Sequence, residues 1–99
     1  MQDLFLAPVK INIIEAAGMR KFITELKGKT VMTNDGQILG MIDNFLINIL
    51  SGDIQNVLVI PAADVETRLY KTDSQGRLAL PFSEMRAVRD VVVMSVSNE

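Results

Sequence analysis

Residues 26–61, LKGKTVMTNDGQILGMIDNFLINILSGDIQNVLVIP, decide the fold of this 99-residue chain. Three apolar runs rich in β-forming residues alternate here with two short polar segments, NDG at 34–36 and SGD at 51–53. Asx-Gly and Ser-Gly pairs supply the positive φ angles that tight hairpin turns require. The pattern therefore predicts three consecutive antiparallel strands, at residues 30–33, 38–49 and 54–60.

The second of these strands carries apolar residues at both of its parities, including Ile38 and Leu46 at one parity and Leu39 and Phe45 at the other. A strand that buries one face should alternate cleanly between apolar and polar residues. The loss of alternation indicates either a sharp bend across two sheets, for which Gly40 is a suitable site, or an exposed apolar patch. We expect this surplus apolar surface at Phe45, Leu46 and Ile47.

The rest of the chain adds short elements to this meander. We predict further strands at 68–71, 77–80 and 91–95, a helical turn at 63–66, and a single 3₁₀ or α turn within 81–88. Six short strands without a long helix must protect their edges, and closure into a barrel does so. The sequence therefore predicts an all-β fold, a small and strongly bent six-stranded antiparallel β-barrel.

An N-terminal extended arm, residues 1–18, precedes the predicted barrel domain at residues 19–99. Apolar residues at positions 9, 11 and 13 alternate as in a strand with one apolar face, and the arm is more apolar than a solvated tail. A frayed leader is the alternative interpretation. We expect the arm to pack on its own barrel or on a second copy of the chain, through Phe5, Leu6, Val9, Ile11 and Ile13.

The composition excludes most catalytic chemistry. The chain has no cysteine and no histidine, so disulfides, thiolate catalysis and thiolate or imidazole metal sites are impossible. Gly28-Lys29-Thr30 lacks the first glycine of a phosphate-binding loop, and the glycines at 36 and 40 lie in a hairpin and not at a strand-to-helix turn. We predict that the protein is not an enzyme and holds no cofactor and no metal.

Charge and hydropathy also bound the partners. The net charge is −2, and the basic residues are dispersed without flanking aromatics, so nothing favours nucleic-acid binding. The first residues lack the basic and apolar regions of a signal peptide, and no run approaches the roughly 20 apolar residues that span a bilayer. We expect a cytoplasmic protein without direct membrane insertion.

Four pieces of sequence together resemble the PRC-barrel domain family of small β-barrels. They are LxGKxV from Leu26, DGxILGxID from Asp35, SGDI from Ser51 with VLV at 57–59, and LPFSxMxAVxDVVV from Leu80. Most of these positions are turn glycines and core aliphatics, so they report fold and not activity. The resemblance implies a PRC-barrel fold, with the arm as a departure from the motif.

The chain is most similar to stand-alone archaeal PRC-barrel proteins, several of which are cytoplasmic, non-enzymatic adaptors in cell division. The resemblance implies self-association, as a homodimer or higher assembly, and recruitment to the division site at the membrane. It also implies partners: the ring of the tubulin-like FtsZ protein, its SepF-type membrane anchor and a membrane-bound PRC-barrel protein. We therefore expect a non-catalytic adaptor of archaeal cell division.

Two alternatives belong to other functional classes. Relatives in the family include a ribosome-maturation factor, so an RNA or ribosome-maturation accessory module is the first, although the net charge opposes it. The second is a small-ligand or cation-binding regulatory barrel that uses Asp35, Asp43 or Asp53. Their simpler role is structural, because aspartates favour turns and bind nearby backbone.

Overall fold

The computed structural model describes the backbone of residues 4–6, 13–16 and 19–96, and side chains from residue 25 to residue 96. Within these residues the fold is all-β, with one four-residue helix, α1 (Ile23–Leu26), and two 3₁₀ turns, Thr67–Leu69 and Phe82–Glu84. The strands are β1 (Leu4–Leu6), β2 (Ile13–Ala16), β3 (Met19–Phe22), β4 (Thr30–Thr33), β5 (Ile38–Asn48), β6 (Ile54–Pro61), β7 (Leu78–Pro81), β8 (Met85–Val88) and β9 (Val91–Met94).

Six strands form one sheet in the order β7-β6-β5-β4-β9-β8. The three-residue β1 adds to β5, and β2 pairs with β3 in a separate hairpin. The sheet is mixed, because β4 and β9 run parallel while the other neighbours are antiparallel. Parallel neighbours need a long connection, and the chain from β4 to β9 passes through four other strands before it returns.

The predicted meander is confirmed: β4, β5 and β6 match the expected strands to within one residue at each end, and β7 and β9 lie where strands were predicted. The prediction of a purely antiparallel sheet is wrong at β4 and β9. Closure into a barrel is not confirmed, because β7 and β8 remain the two ends of the hydrogen-bonded path among the described residues.

Two of the local predictions are wrong and a third is confirmed. The expected strand at 68–71 is the 3₁₀ turn Thr67–Leu69, followed by one isolated bridge between Thr72 and Leu78, and this turn replaces the helical turn expected at 63–66. The single 3₁₀ turn predicted within 81–88 is confirmed at Phe82–Glu84, but the rest of that segment is a strand that was not predicted, β8, which pairs with β9 and buries Met85 and Val88. Burial of these side chains outweighs the short, proline-bounded local sequence.

The core lies on the inner face of the sheet. It contains Val31, Leu39, Ile42, Phe45, Val57, Val59, Leu78, Leu80, Val88, Val92 and Met94, with Leu26 of α1 and with Val65 and Met85. Register shifts interrupt the pairing of β5 at several points, between Ile42 and Asn44 and again between Leu46 and Ile47. Such bulges bend a strand and increase its twist, as the mixed parity of this segment predicted.

Gly40 is fixed by a close backbone contact. Its φ is +149°, and a Cβ atom at this position would lie 1.9 Å from the carbonyl oxygen of Ile60 on β6. Only glycine permits this approach. The register of β4 against β5 also shifts here, since Val31 pairs with Gly40 while the next residue, Met32, pairs with Ile38.

Candidate interaction surfaces

Two of the three residues predicted to form the exposed patch on β5 lie in the core. Phe45 is 0% exposed and Ile47 is 3% exposed. Side chains still alternate along this part of the strand, so Phe45 and Ile47 face inward and only Leu46, which is half-buried, faces outward. The prediction of surplus apolar surface is therefore wrong for Phe45 and Ile47.

The exposed apolar surface of β5 lies nearer its start. Ile38 and Met41 are 50% and 49% exposed, whereas Leu39 and Gly40 between them are buried. The bulge at Leu39 and Gly40 keeps Leu39 inside and turns both flanking residues outward. Residues three apart on a regular strand face opposite sides, so simple alternation does not reveal this pair.

Cross-strand register connects these residues into two parallel rows on the outside of the sheet. One row runs Ala87, Val93, Met32, Ile38, and the other runs Val91, Thr30, Met41, Ile60. The eight residues span β8, β9, β4, β5 and β6, and seven of them are apolar. We call this set the outer apolar face.

The outer apolar face is only partly covered. Ile60 is 48% exposed, like Ile38 and Met41, and the other five residues are half-buried. The polar or charged residues Lys29, Gln37 and Asp90 adjoin it in the chain. A contiguous apolar surface with polar residues at its margin is typical of a protein interaction site.

A second surface lies at the edge of β5. The pairs of β4 reach only as far as Met41, and the backbone at residues 28–29 reaches Ile42. The same edge of β5 then continues to Asn48 without β4 and is paired with β1, in the register Leu4 with Asn48, Phe5 with Ile47 and Leu6 with Leu46. Residues 4–6 of the arm therefore pair with their own chain here. Val9 and Ile11 lie outside the described residues, and for Phe5, Leu6 and Ile13 only the backbone is described.

A polar network fixes the outward side of the bend in β5. The guanidinium of Arg77 lies 2.7 Å from Asp43 Oδ2 on β5 and 2.7 Å from Asp73 Oδ2. Asp73 Oδ1 also accepts hydrogen bonds from the backbone N–H groups of Gln75 and Arg77. The network ties the turn at residues 73–76 to β5, which is a structural role.

This network shifts two pKa values. Burial by itself raises the pKa of Asp73, but hydrogen bonds from the backbone and side chain of Arg77 and from the backbone of Gln75 outweigh it, so the net pKa lies below its usual value. The hydrogen bond to Asp43 raises the pKa of Arg77 against the effect of burial, and the contact with Asp73 adds to it. Both groups are charged at neutral pH.

The aspartates considered as cation ligands lie apart. Asp35 precedes β5 and accepts a hydrogen bond from the Thr33 hydroxyl, Asp43 pairs with Arg77, and Asp53 follows β5, where its N–H donates to Ser51 Oγ. Among the residues that the structure describes, no three acidic side chains converge on one point. The structure does not bring Asp35, Asp43 and Asp53 together.

An open groove of about 310 Å³ lies beside β7. Its lining mixes apolar and polar groups and includes Asn56, Tyr70, Lys71, Ala79 and Val96. Among the described residues that line it, Lys71 and the Tyr70 hydroxyl are the ionisable groups.

Residues 19–99 match the family described as the PRC-barrel domain. The chain belongs to the PRC-barrel domain family. No curated protein matches its sequence closely enough to serve as a relative. In this PRC-barrel chain, many of the resembling positions, such as Val31, Leu39 and Val92, are buried in the core. Among the described residues, no helix has the length and apolar character needed to cross a membrane.

Proposed function

We propose that this PRC-barrel protein is a non-catalytic adaptor that binds further copies of itself and other proteins through the outer apolar face. The observation that carries the proposal is the pair of apolar rows across five strands, of which Ile38, Met41 and Ile60 are each about half exposed. Removing apolar surface from water is favourable by about 25 cal/mol per Å². Covering this face therefore drives association.

We expect the outer apolar face to bind a second copy of the chain. Seven of its eight residues are apolar and none is charged, so two such faces brought together leave no charge unpaired. Two sheets pack face to face about 10 Å apart when their side chains interdigitate. A two-fold arrangement uses the same surface on both copies and closes the assembly as a dimer.

The resemblance to archaeal division adaptors supports the cellular role. In that role the protein is recruited from the cytoplasm to the division site. There it links the FtsZ ring and its SepF-type anchor to a membrane-bound PRC-barrel protein. Binding through sheet surfaces suits such a role because a small β-domain can bind without a cleft.

Lysine substitution tests the face. Met41→Lys with Ile60→Lys places two charges on the row of the outer apolar face that contains both residues. Leu69→Lys is the matched control, because Leu69 is 46% exposed but does not belong to the face. We expect sedimentation analysis to show concentration-dependent association of the wild type and of Leu69→Lys, and clearly weaker association of the double variant. A wild type that stays monomeric at millimolar concentration, or a double variant that associates equally well, contradicts self-association through this face.

The cellular role needs its own experiment in an archaeal host. We expect the tagged wild type and the Leu69→Lys variant to collect at the division site, and the double lysine variant to remain diffuse. Normal division in a deletion strain, together with a diffuse wild-type protein, overturns the division role. That result leaves the measurement of self-association in solution unaffected.

A further inference from the structure

The far half of β5 is a strand-acceptor edge. β5 has eleven residues and β4 has four, so β4 leaves the edge of β5 beyond Ile42 without a neighbour. The three residues of β1 fill part of this edge. An open sheet edge exposes unpaired N–H and C=O groups and is a ready template for an additional strand.

Backbone directions locate the central pair of this site. The N–H of Asn48 donates to the carbonyl of Asp53, so the backbone of Asn48 faces the β6 side. Successive residues of a strand direct their backbone groups to opposite edges, and the groups of Ile47 therefore face β1. By register their partner is Phe5, which makes Phe5 with Ile47 the central hydrogen-bonded pair.

β1 and the strand that follows it contact different parts of the sheet. It lies on β5, whereas the next strand, β2, lies against β8, and β4 and β9 stand between β5 and β8 in the sheet. Among the described residues, three residue pairs join β1 to the sheet. A strand attached through so few pairs, and remote from the element that follows it, can be exchanged without changing the remainder of the fold.

Apolar surface beside the acceptor edge favours a strand from another chain. Ile49 and Leu50, which directly follow β5, are 56% and 83% exposed. Exchange keeps the same three backbone pairs, so it costs little in hydrogen bonding. It also brings a second copy next to Ile49 and Leu50 and allows this surface to be covered.

We infer that the edge of β5 at residues 46–48 accepts β1 of a second copy, so that assembled chains exchange their N-terminal strands. This surface is distinct from the outer apolar face. The inference therefore goes beyond the proposed adaptor function, and either one can fail without the other.

Cysteine cross-linking tests strand exchange directly, because the chain has no cysteine of its own. Leu6 and Leu46 are directly opposed, and opposed residues have Cα atoms about 4.5–5.5 Å apart, within the range that a disulfide bridges. Leu6→Cys and Leu46→Cys are made in separate full-length chains, one of them carrying a mass tag. The two are mixed at rising concentration under mild oxidation.

We expect a mixed disulfide-linked dimer whose fraction rises with concentration. Leu6→Cys mixed with Ser74→Cys, in an exposed turn on the far side of β7, is the control and should give several-fold less. A mixture that cross-links no better than this control, while a chain carrying both Leu6→Cys and Leu46→Cys closes only within itself, overturns strand exchange.

Two further variants separate this site from other contacts. Phe5→Pro removes the N–H that the register directs at β5, whereas Phe5→Ala keeps it. We expect the mixed cross-link to be lost with Phe5→Pro and retained with Phe5→Ala. Addition of Met41→Lys with Ile60→Lys should leave the cross-link in place, since these residues lie on the outer apolar face. Equal cross-linking by the Pro and Ala variants contradicts β1 pairing.

Discussion

The two faces of the sheet around β4, β5 and β9 are both apolar, yet the chain buries only one of them. On the inner face, Val31, Leu39 and Val92 are fully buried. On the outer face, Met32 and Val93 are half-buried and Ile38 is half exposed. Both sets of side chains belong to the same hydrogen-bonded strands. The two faces therefore differ in how far the chain covers them, and not in hydropathy.

This difference gives the two faces different energetic roles. Apolar area that the chain covers contributes to folding, while apolar area that stays in water contributes nothing until a partner covers it. Substitutions on the inner face should therefore change stability and those on the outer face should change association. Four predictions test this division, from the largest expected effect on stability to the smallest.

Phe45→Ala should cause the largest loss of folding stability. Phe45 is 0% exposed on the inner face of β5, and removal of a buried phenylalanine side chain costs about 3–5 kcal/mol. Leu46→Ala, one residue along and facing outward, should cost about 1 kcal/mol or less. Urea denaturation of both variants measures the difference. Equal losses would mean that the outward side of β5 is as tightly packed as the core.

Gly40→Ala tests the bulge that places Ile38 and Met41 outside. The added Cβ would lie 1.9 Å from the Ile60 carbonyl oxygen at a φ of +149°, so we expect a loss of roughly 2–4 kcal/mol from overpacking and backbone strain. Gly76→Ala is the matched control. Its φ is +81° with no atom within 4 Å of the added Cβ, so only the conformational cost of about 1–2 kcal/mol applies. Thermal unfolding of the two variants measures the difference. Equal decreases in melting temperature would contradict the close contact between Gly40 and the Ile60 carbonyl.

The sequence predicts elements whose determinants are local. Gly36 and Gly52 lie in the two turns that define β4, β5 and β6, and both have the positive φ that the turn chemistry required. The parallel pairing of β4 with β9 depends on residues far apart in the chain, so turn chemistry carries no signal for it. β8 is a strand because β9 lies beside it, which the short segment alone does not indicate.

The outer apolar face was missed for a related reason. Its rows join residues of five strands, and they exist only once the register and the bulge at Gly40 are known. The mixed parity of β5 did signal an irregular strand. The exposed patch predicted at Phe45 to Ile47 lies elsewhere, because side chains there still alternate between core and surface despite the register shift after Leu46.

Asp73→Asn tests the polar network on the outward side of β5. The pKa of Asp73 lies below its usual value, so the ionised carboxylate stabilises the fold above the unfolded pKa of about 3.9, and this contribution is lost as the pH falls through the folded pKa. We expect Asp73→Asn to cost about 1–2 kcal/mol at pH 7. The difference from wild type should shrink below about pH 4. Denaturation curves at pH 7 and pH 3 measure it, and a constant difference contradicts the role of the charge.

Met41→Thr with Ile60→Thr should have the smallest effect on the isolated chain. Threonine is β-branched and suits a strand, and the side chains of Met41 and Ile60 are about half exposed, so we expect a change within about 1 kcal/mol at micromolar concentration. Melting temperatures measured at several protein concentrations then distinguish association through the outer face from stability of the fold. If copies associate through this surface, the melting temperature of the wild type rises with concentration by mass action, while that of the variant rises less. A loss above about 2 kcal/mol in the dilute variant would show that the chain itself already covers the outer apolar face, and the contrast between the two faces would then disappear.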